Sequence, residues 1–407
     1  MRIDLQRLLA RLDRLARIGG TPSGGVTRLA LTDEDRAARD LLRTWMEEAG
    51  LVVRIDDFGN MVGRREGTDP EALPVQLGSH CDSVPSGGAF DGTLGVLGAL
   101  EVVQTVHDAG ILTRRPLEVI NWTNEEGARF QPPMLGSGAV SGRFDKSYVY
   151  ARTDAEGRSF AAELERIGYL GREGNRPGPG VAYLELHIEQ GPVLEAEGVP
   201  VGVVEGIVGI TWCEVAVLGK ASHAGTTPLP MRHDALLAAS QLVERVQRLA
   251  REAGPPALGT VGRLQVEPNA VNVVPGRVTF SVDFRHPTSA GLDWLVAQFE
   301  AAAIQVAAET GTVVHVDRYW TSEPTPFDPQ VVSTVERVVQ RLGLPYRRLW
   351  SGAGHDAKYR QDICPTGMVF VRSRDGLSHC PQEYSAPEDI EAGVTVLLHT
   401  TLELANR

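Results

Sequence analysis

Apolar residues recur along this chain with two different periods, and the change from one to the other divides it. Leu5, Leu8, Leu9, Leu12 and Leu15 mark a first amphipathic helix. Thr32, with Asp35 three residues on, opens a second through Ala37, Leu41, Leu42 and Met46, and Gly50 closes it. LVVRIDDFGNMVGRREG reads as a hairpin turning at Phe58, Gly59 and Asn60. The run 73–77 is short and apolar, as a buried strand is; a helix over 92–109 and a second buried strand over 117–122 follow. Strand, helix and strand in that order imply a parallel pair with the helix on one face. Between Asp154 and Gly180 the chain is polar and glycine-rich around one helix, 160–167, before Tyr183, Leu184, Leu186 and Ile188 lead to another strand end.

From about Gly209 the alternation becomes that of half-exposed strands. ITWCEVAVLG, GTVGRLQVEP, GRVTFSVDFRH and TVVHVDRYW, with helices over 233–252 and 291–309, give a βαββαβ order. Near Thr325 the first texture returns as a helix over 329–342, the loop SGAGHDAK, the strand ICPTGMVFV and a final helix over 387–404. The expected fold is therefore α/β. A domain with a mixed, mostly parallel sheet flanked by helices is made of residues 1–208 and 326–407, and an α+β domain over 209–325 is inserted in it.

At 407 residues the chain exceeds the roughly 250 to 300 at which a single core stops growing, which agrees with two domains. A net charge of −12 argues against nucleic acid or an anionic membrane as partner, since both want a basic face. No apolar run approaches the roughly 18 residues of a membrane span. The opening leucines are interrupted by charge instead of forming a signal core, and Asp4 and Asp13 oppose a basic targeting helix. Cys81, Cys213, Cys364 and Cys380 include no CxxC pair, which suits a reducing cytoplasm. Cys81 and Cys380 each follow a histidine, but neighbours on an extended backbone face opposite ways, so both read as structural thiols.

Polar residues gather where the strands end. The first buried strand runs into GSHCDSVPSGGAFDG, with His80, Asp82 and Asp91, and Asp91 falls at a helix start, where free backbone amides hold a carboxylate. The second runs into TNEEGARF, with Glu125 and Glu126; HIEQG supplies His187, Glu189 and Gln190, and GLSHCPQEYS supplies His379. Singly, each has a bland reading: a glutamate pair is usually solvated surface, a lone histidine a satisfied polar residue. That all follow strands of one sheet puts them on one rim, where α/β sites sit. The set suits two divalent ions, because a carboxylate such as Asp91 can bridge ions roughly 3.5 to 4 Å apart and leave each a histidine and one further ligand. Oxygen and nitrogen donors without thiolate fit Zn²⁺, Mn²⁺, Co²⁺ or Ni²⁺. GSGAVSG and SGAGHDA are glycine-rich, but neither is a complete phosphate-binding loop.

Over nearly the whole chain, and in this order, GSHCDSVPSGGAFDG, NEEGARF, HIEQGPVLE, KASHAGTTPLPMRHDA, NAVNVVPG, DFRH, SGAGHDA and LSHCPQEYS resemble the dinuclear metal-dependent amidohydrolases of the M20 peptidase clan. Within that clan they resemble the hydantoinase/carbamoylase branch of N-carbamoyl-L-amino acid hydrolases, β-ureidopropionases and allantoate amidohydrolases. The resemblance implies His80, Asp91 as bridge, Glu126, His187 and His379 as ligands of two divalent ions per subunit, Zn²⁺ ahead of Mn²⁺, Co²⁺ or Ni²⁺. It makes Glu125 the general base and Asp82 the residue that holds the His80 imidazole. Substrate contacts fall on Gln190, His223, Asn272, Arg285 and the SGAGHD loop with Gly354 and His355. Without the resemblance, Arg285 reads as a strand-end surface arginine and Asn272 as a turn residue, while Arg232 and Asp234 read as a structural helix start. Residues 1–208 and 326–407 become the catalytic domain and 209–325 a lid and dimerisation domain, in a homodimer where His223 steadies the oxyanion in the neighbour's site. The implied reaction is hydrolysis of the carbamoyl (ureido) C–N bond of an N-carbamoyl-L-amino acid to free amino acid, ammonia and CO2 in the cytoplasm. DSVPSGGAFDGTLGVLGALE and PPMLGSGAVSG favour that small-molecule ureido substrate over β-ureidopropionate and allantoate. A peptidase of the same clan shares the ligands but not necessarily the HIEQGP glutamine or the HAGTT segment. The full ligand set with Glu125 opposes a non-catalytic binding scaffold.

Overall fold

The computed structural model, which describes residues 1–407, opens on two capped helices. Asp4 accepts from the Arg7 N–H at the start of α1 (Leu5–Ala16), and Thr32 from the Asp35 N–H at the start of α2 (Asp33–Glu48), so a side chain satisfies a free backbone donor at each start. The hairpin of β1 (Val52–Ile55) and β2 (Met61–Arg65) closes with Ile55 opposite Met61. β3 (Val75–His80), α3 (Thr93–Asp108) and β4 (Leu117–Trp122) form the strand, helix, strand unit, with β3 and β4 parallel. The short helices α4 (Leu135–Val140), α5 (Lys146–Tyr150) and α6 (Phe160–Arg166) precede β5 (Ala182–Ile188), α7 (Val193–Glu197) and β6 (Val201–Ile207).

The chain forms two units, one of Met1–Glu205 with Phe327–Arg407 and one of Gly206–Pro326. The second contains β7 (Gly209–Leu218), β8 (Ser222–His223), α8 (Ala235–Ala253), β9 (Leu258–Thr260), β10 (Leu264–Glu267), β11 (Val273–Val274), β12 (Arg277–His286), α9 (Ser289–Thr310) and β13 (Val313–Ser322). β7 lies between β12 and β13, antiparallel to both, and its inward residues Val215 and Val217 share a core with Phe280, Phe284, Leu242 and Phe299. GTVGRLQVEP, expected as one strand, is two. Thr260 pairs with Asp283 but Leu264 with Phe280, so one extra residue stands on this edge, as in a bulge.

β14 (Thr325–Pro326), α10 (Pro329–Arg341), β15 (Tyr346–Ser351), α11 (Ala357–Arg360), β16 (Thr366–Val371) and α12 (Pro387–Ala405) complete the chain. The large sheet runs β1-β2-β4-β3-β5-β16-β6-β14, with β15 also on β6. Parallel pairing runs through its centre, β4-β3-β5-β16, narrower than the mostly parallel sheet expected. The tight β1–β2 turn and the short return from β5 through α7 to β6 bring the outer strands back antiparallel. The four central strands are buried throughout. α3 can press on them because Gly95 has no side chain; a Cβ there would overlap the Leu186 carbonyl oxygen. Their C-terminal ends, at His80, Trp122, Ile188 and Val371, share one rim. No helix is long and apolar enough to cross a membrane.

Arg39 ties that rim to the N-terminal helices. It is 1% exposed and donates to Asp35 Oδ2 (2.8 Å), the Gly59 carbonyl (2.7 Å) and Thr123 Oγ1 (3.2 Å). Arg39→Ala strands the buried Asp35 carboxylate, so a loss of about 3–5 kcal/mol is expected. A denaturation midpoint that does not move would contradict this account of α2.

Candidate metal and catalytic centre

Asp91 stands at the middle of the rim. Its Oδ1 lies 3.2 Å from His187 Nε2 and 3.5 Å from His80 Nε2, and its Oδ2 lies 3.2 Å from His379 Nε2. Two donor groups therefore share it: His80, Asp91 and His187, all buried, and Asp91, Glu126 and His379, each group with its atoms within 4.8 Å of one another. The helix start does not hold this carboxylate, contrary to the sequence expectation. Gly92, at φ 60°, carries the chain into α3 with no side-chain cap. Asp91 instead faces the imidazoles and accepts from Gln190 Nε2 (2.7 Å) and Ser378 Oγ (3.0 Å). Only glycine fits at position 92, because a Cβ there would overlap the His80 ring.

The far side of each buried imidazole fixes its tautomer. His80 Nδ1 is 3.0 Å from the Asp82 carbonyl and His187 Nδ1 is 2.9 Å from the Ile188 carbonyl. A carbonyl only accepts, so in the neutral rings Nδ1 carries the proton and Nε2 turns its lone pair towards Asp91. Asp82 thus holds His80 through its backbone and not its side chain. Its carboxylate, 3.8 Å from the ring, accepts instead from the Glu125 and Glu126 N–H groups, both at 3.2 Å. The two glutamates then diverge: Glu125 Oε2 lies 3.5 Å from His80 Nε2 and Glu126 Oε2 lies 3.6 Å from His379 Nε2.

Charge is unevenly supplied here. Burial works to raise Asp91, but bonds to His187, His379 and His80 hold it well below the usual carboxylate range. Burial pushes Glu125 well up, and His80 only partly offsets it. Burial and the Asp91 charge lift Glu126 to about 7. Burial opposes protonation of His80, yet Glu125, Asp91 and Asp82 keep its pKa well above the ordinary value. Four carboxylates against three imidazoles make an acid-rich pocket of oxygen and nitrogen donors, which suits divalent cations.

The other expected residues are more scattered. Gln190 sits in the centre itself, with Nε2 on Asp91 and Ser378 and a buried Oε1 that has no partner. His355 is buried, its Nε2 is 2.9 Å from Ser351 Oγ and its ring centroid is 4.4 Å from that of His187; burial and the His187 charge push its pKa well down. Gly354 is exposed beside Met134. His223, Asn272 and Arg285 belong to the second unit. Val273 pairs with His223 and the Ala224 N–H donates to the Asn272 carbonyl, so the first two are neighbours, whereas Arg285 lies on β12 with its fork on Asp283 (3.1 and 2.9 Å). Sequence reading missed Glu185, which accepts from Ser79 Oγ and the Ala357 N–H, as well as Asp356, Ser378 and Glu383. Glu383 was visible only as one letter of LSHCPQEYS, with no spacing to set it apart.

A discontinuous α/β unit with an acid and histidine cluster on its central strand ends is an arrangement suited to a hydrolase that uses divalent cations. The chain belongs to peptidase family M20/M25/M40, whose family model matches residues 76–403, and within it to the hydantoinase/carbamoylase branch. It is 46% identical to an N-carbamoyl-L-amino-acid amidohydrolase of Rhizobium meliloti over 99% of this chain and 97% of that one. Against the N-carbamoyl-L-amino acid amidohydrolase of Geobacillus stearothermophilus it is 44% identical, over 99% of each. The crystal structure of an amidase of the hydantoinase/carbamoylase family from Burkholderia multivorans superposes with a TM-score of 0.97 at 47% identity, covering 100% of this chain and 99% of that one.

Metal uptake should release protons. Glu126, lifted to about 7, and His379, raised to about 9 by its bond to Asp91, must both be deprotonated to donate. Affinity for a divalent ion is therefore expected to fall as pH drops from about 8 to 6, read by chelator competition. Equal or tighter binding at the acid end would contradict these ligands.

Proposed function

We propose that this hydrolase cleaves the carbamoyl C–N bond of N-carbamoyl-L-amino acids, releasing free amino acid, ammonia and CO2. It works with two divalent ions per subunit, Zn²⁺ ahead of Mn²⁺, Co²⁺ or Ni²⁺, held by His80, Asp91, Glu126, His187 and His379. The observation that carries this reading is that one carboxylate, Asp91, belongs to two separate donor groups while Glu125 belongs to neither. The substrate is supported by the identity to two N-carbamoyl-amino-acid amidohydrolases over nearly their whole length. The cysteines are all unpaired, which supports a reducing cytoplasm.

Bound ions would supply polarisation of the ureido carbonyl and acidify the attacking water. The chain's own part is proton handling and orientation. Glu125 is buried, basic for a carboxylate, and fixed at its backbone by Asp82. It accepts the water proton on its carboxylate and returns it to the leaving nitrogen. His223 Nδ1 accepts from the Gly225 N–H at 3.0 Å, so in the neutral ring the proton sits on Nε2. That is the tautomer able to donate to a developing oxyanion. Arg285 presents a planar fork for the substrate α-carboxylate, exchanging or sharing its bonds to Asp283. Asn272, beside His223, and Gln190, Gly354 and His355 complete the substrate contacts.

The test is a panel of N-carbamoyl-α-amino acids of both hands, their amides, N-carbamoyl-β-alanine and allantoate, assayed with and without chelator. Turnover should be confined to the L-acids and lost on chelation. Full activity in metal-free protein, or preference for allantoate, would sink the reading.

The two adjacent glutamates should separate cleanly. Glu125→Gln is expected to abolish turnover with metal content near wild type, whereas Glu126→Gln lowers occupancy. The reverse pattern in metal analysis would exchange their roles.

We further infer a homodimer through the inserted unit, with His223 acting in the partner's site. β13 is an edge strand with Val313 exposed, which supports pairing across a two-fold axis. Mixing His223→Ala chains with Glu125→Gln chains should restore activity, because each mixed dimer holds one site with both groups intact. No recovery despite proven subunit exchange would remove the cross-subunit role.

A further inference from the structure

We propose that Glu383 is the positioning residue for Asp91, holding it for both donor groups without itself binding an ion; this rests on Asp91 being the shared ligand proposed above. Glu383 is 5% exposed and belongs to neither donor group. Its Oε1 accepts from the backbone N–H groups of Phe90 (2.9 Å) and Asp91 (3.0 Å). Its Oε2 is 2.9 Å from Ser378 Oγ, which also lies 3.0 Å from Asp91 Oδ2. One carboxylate thus grips Asp91 at its backbone and shares with the Asp91 side chain the single hydroxyl of Ser378. Glu383 sits four residues beyond His379 on the same loop and 292 residues from Asp91. It therefore joins the loop that brings the shared carboxylate to the loop that brings the last imidazole. No other side chain accepts from the Phe90 or Asp91 N–H.

A second residue makes this seat possible. Gly88 has no Cβ, and one placed there would overlap the Glu383 carboxylate. The φ of Gly88 lies outside the left-handed region, so an alanine there meets no φ penalty, and the three atoms nearest its added methyl all belong to the Glu383 carboxylate. Gly88 and Glu383 should behave as one unit: adding a methyl at one position ought to mimic deleting the carboxylate at the other.

The experiment measures Zn²⁺ affinity by competition with a chromogenic chelator, alongside the thermal midpoint of the metal-free protein. It compares wild type with Glu383→Ala, Glu383→Gln, Gly88→Ala and the Glu383→Ala/Gly88→Ala double variant. Glu383→Ala should bind Zn²⁺ about 10- to 100-fold more weakly, the range for residues that orient metal ligands. Glu383→Gln should stay within about 5-fold of wild type, because its amide oxygen still accepts from both N–H groups while its NH2 donates to Ser378. Gly88→Ala should be as weak as Glu383→Ala and add less than about 2-fold in the double variant, since coupled residues are not additive. A merely structural glutamate would lower the thermal midpoint and leave Zn²⁺ affinity alone, and that result overturns the proposal, as does a Gly88→Ala effect of equal size in both backgrounds. If Glu383→Ala does not fold, a weak Gly88→Ala beside a near-normal Glu383→Gln carries the same test, and equal affinities in those two refute it. Wild type that binds no divalent ion would instead overturn the metal reading on which this one rests.

Discussion

A carboxylate taken out of water must be paired, and Asp91 is paired three times over. Three imidazoles from three different stretches of chain converge on its two oxygens, and the neighbourhood is arranged around keeping them there. An isolated buried ion would cost many kcal/mol, so the site is stable only with its partners in place. The backbone carbonyls behind His80 and His187 set which ring nitrogen faces Asp91. Gly92 gives the His80 ring its space. The remaining excess of negative charge gives an amidohydrolase centre its appetite for divalent cations.

That geometry binds the fold to the whole length of the chain. β16, from near the C-terminus, is inserted between β5 and β6, so the sheet that carries His187 is not closed until the last stretch has joined it. The next loop then delivers His379 and Glu383 to an aspartate almost 300 residues earlier. Such non-local closure slows folding, because chain entropy is lost before the contacts that reward it form. It also lets the intervening segment be a separate unit whose ends lie at adjacent strands, β6 and β14.

The donors were legible in the amino-acid sequence because each closes a short apolar run, and a buried parallel strand announces itself by such a run. His80, Glu126 and His187 were found this way, with Glu125 beside them, and His379 through its motif. What periodicity reports is which face a residue occupies, never what lies opposite. It therefore misassigned the Asp91 carboxylate to helix amides, could not say that Asp82 holds His80 through its carbonyl, and passed over Glu383, whose partners are remote backbone groups. β6 and β15 escaped for another reason: VGVVEGI runs without a break into the next strand, and YRRLWS carries two adjacent arginines among its six residues. His355 is legible as a histidine but not as a buried one bonded to Ser351, since burial is a property of the packing around it.

The rim also uses backbone conformations that sequence does not advertise. Asn124, Gln190 and His379 all have positive φ although none is glycine, each at a cost of order 1–3 kcal/mol that only the surrounding bonds can sustain. His379 is itself a donor, and Asn124 and Gln190 lie just past the ends of β4 and β5, where the chain leaves its strand abruptly. Asn124 shows what the strain achieves. It turns the chain so that the next two N–H groups meet the two oxygens of one Asp82 carboxylate, and two consecutive glutamates point to different histidines. Side chains of identical chemistry are thereby given different neighbours, one beside the donor groups and one within them. The difference between their two surroundings therefore resides in a single strained turn and the aspartate that pins it.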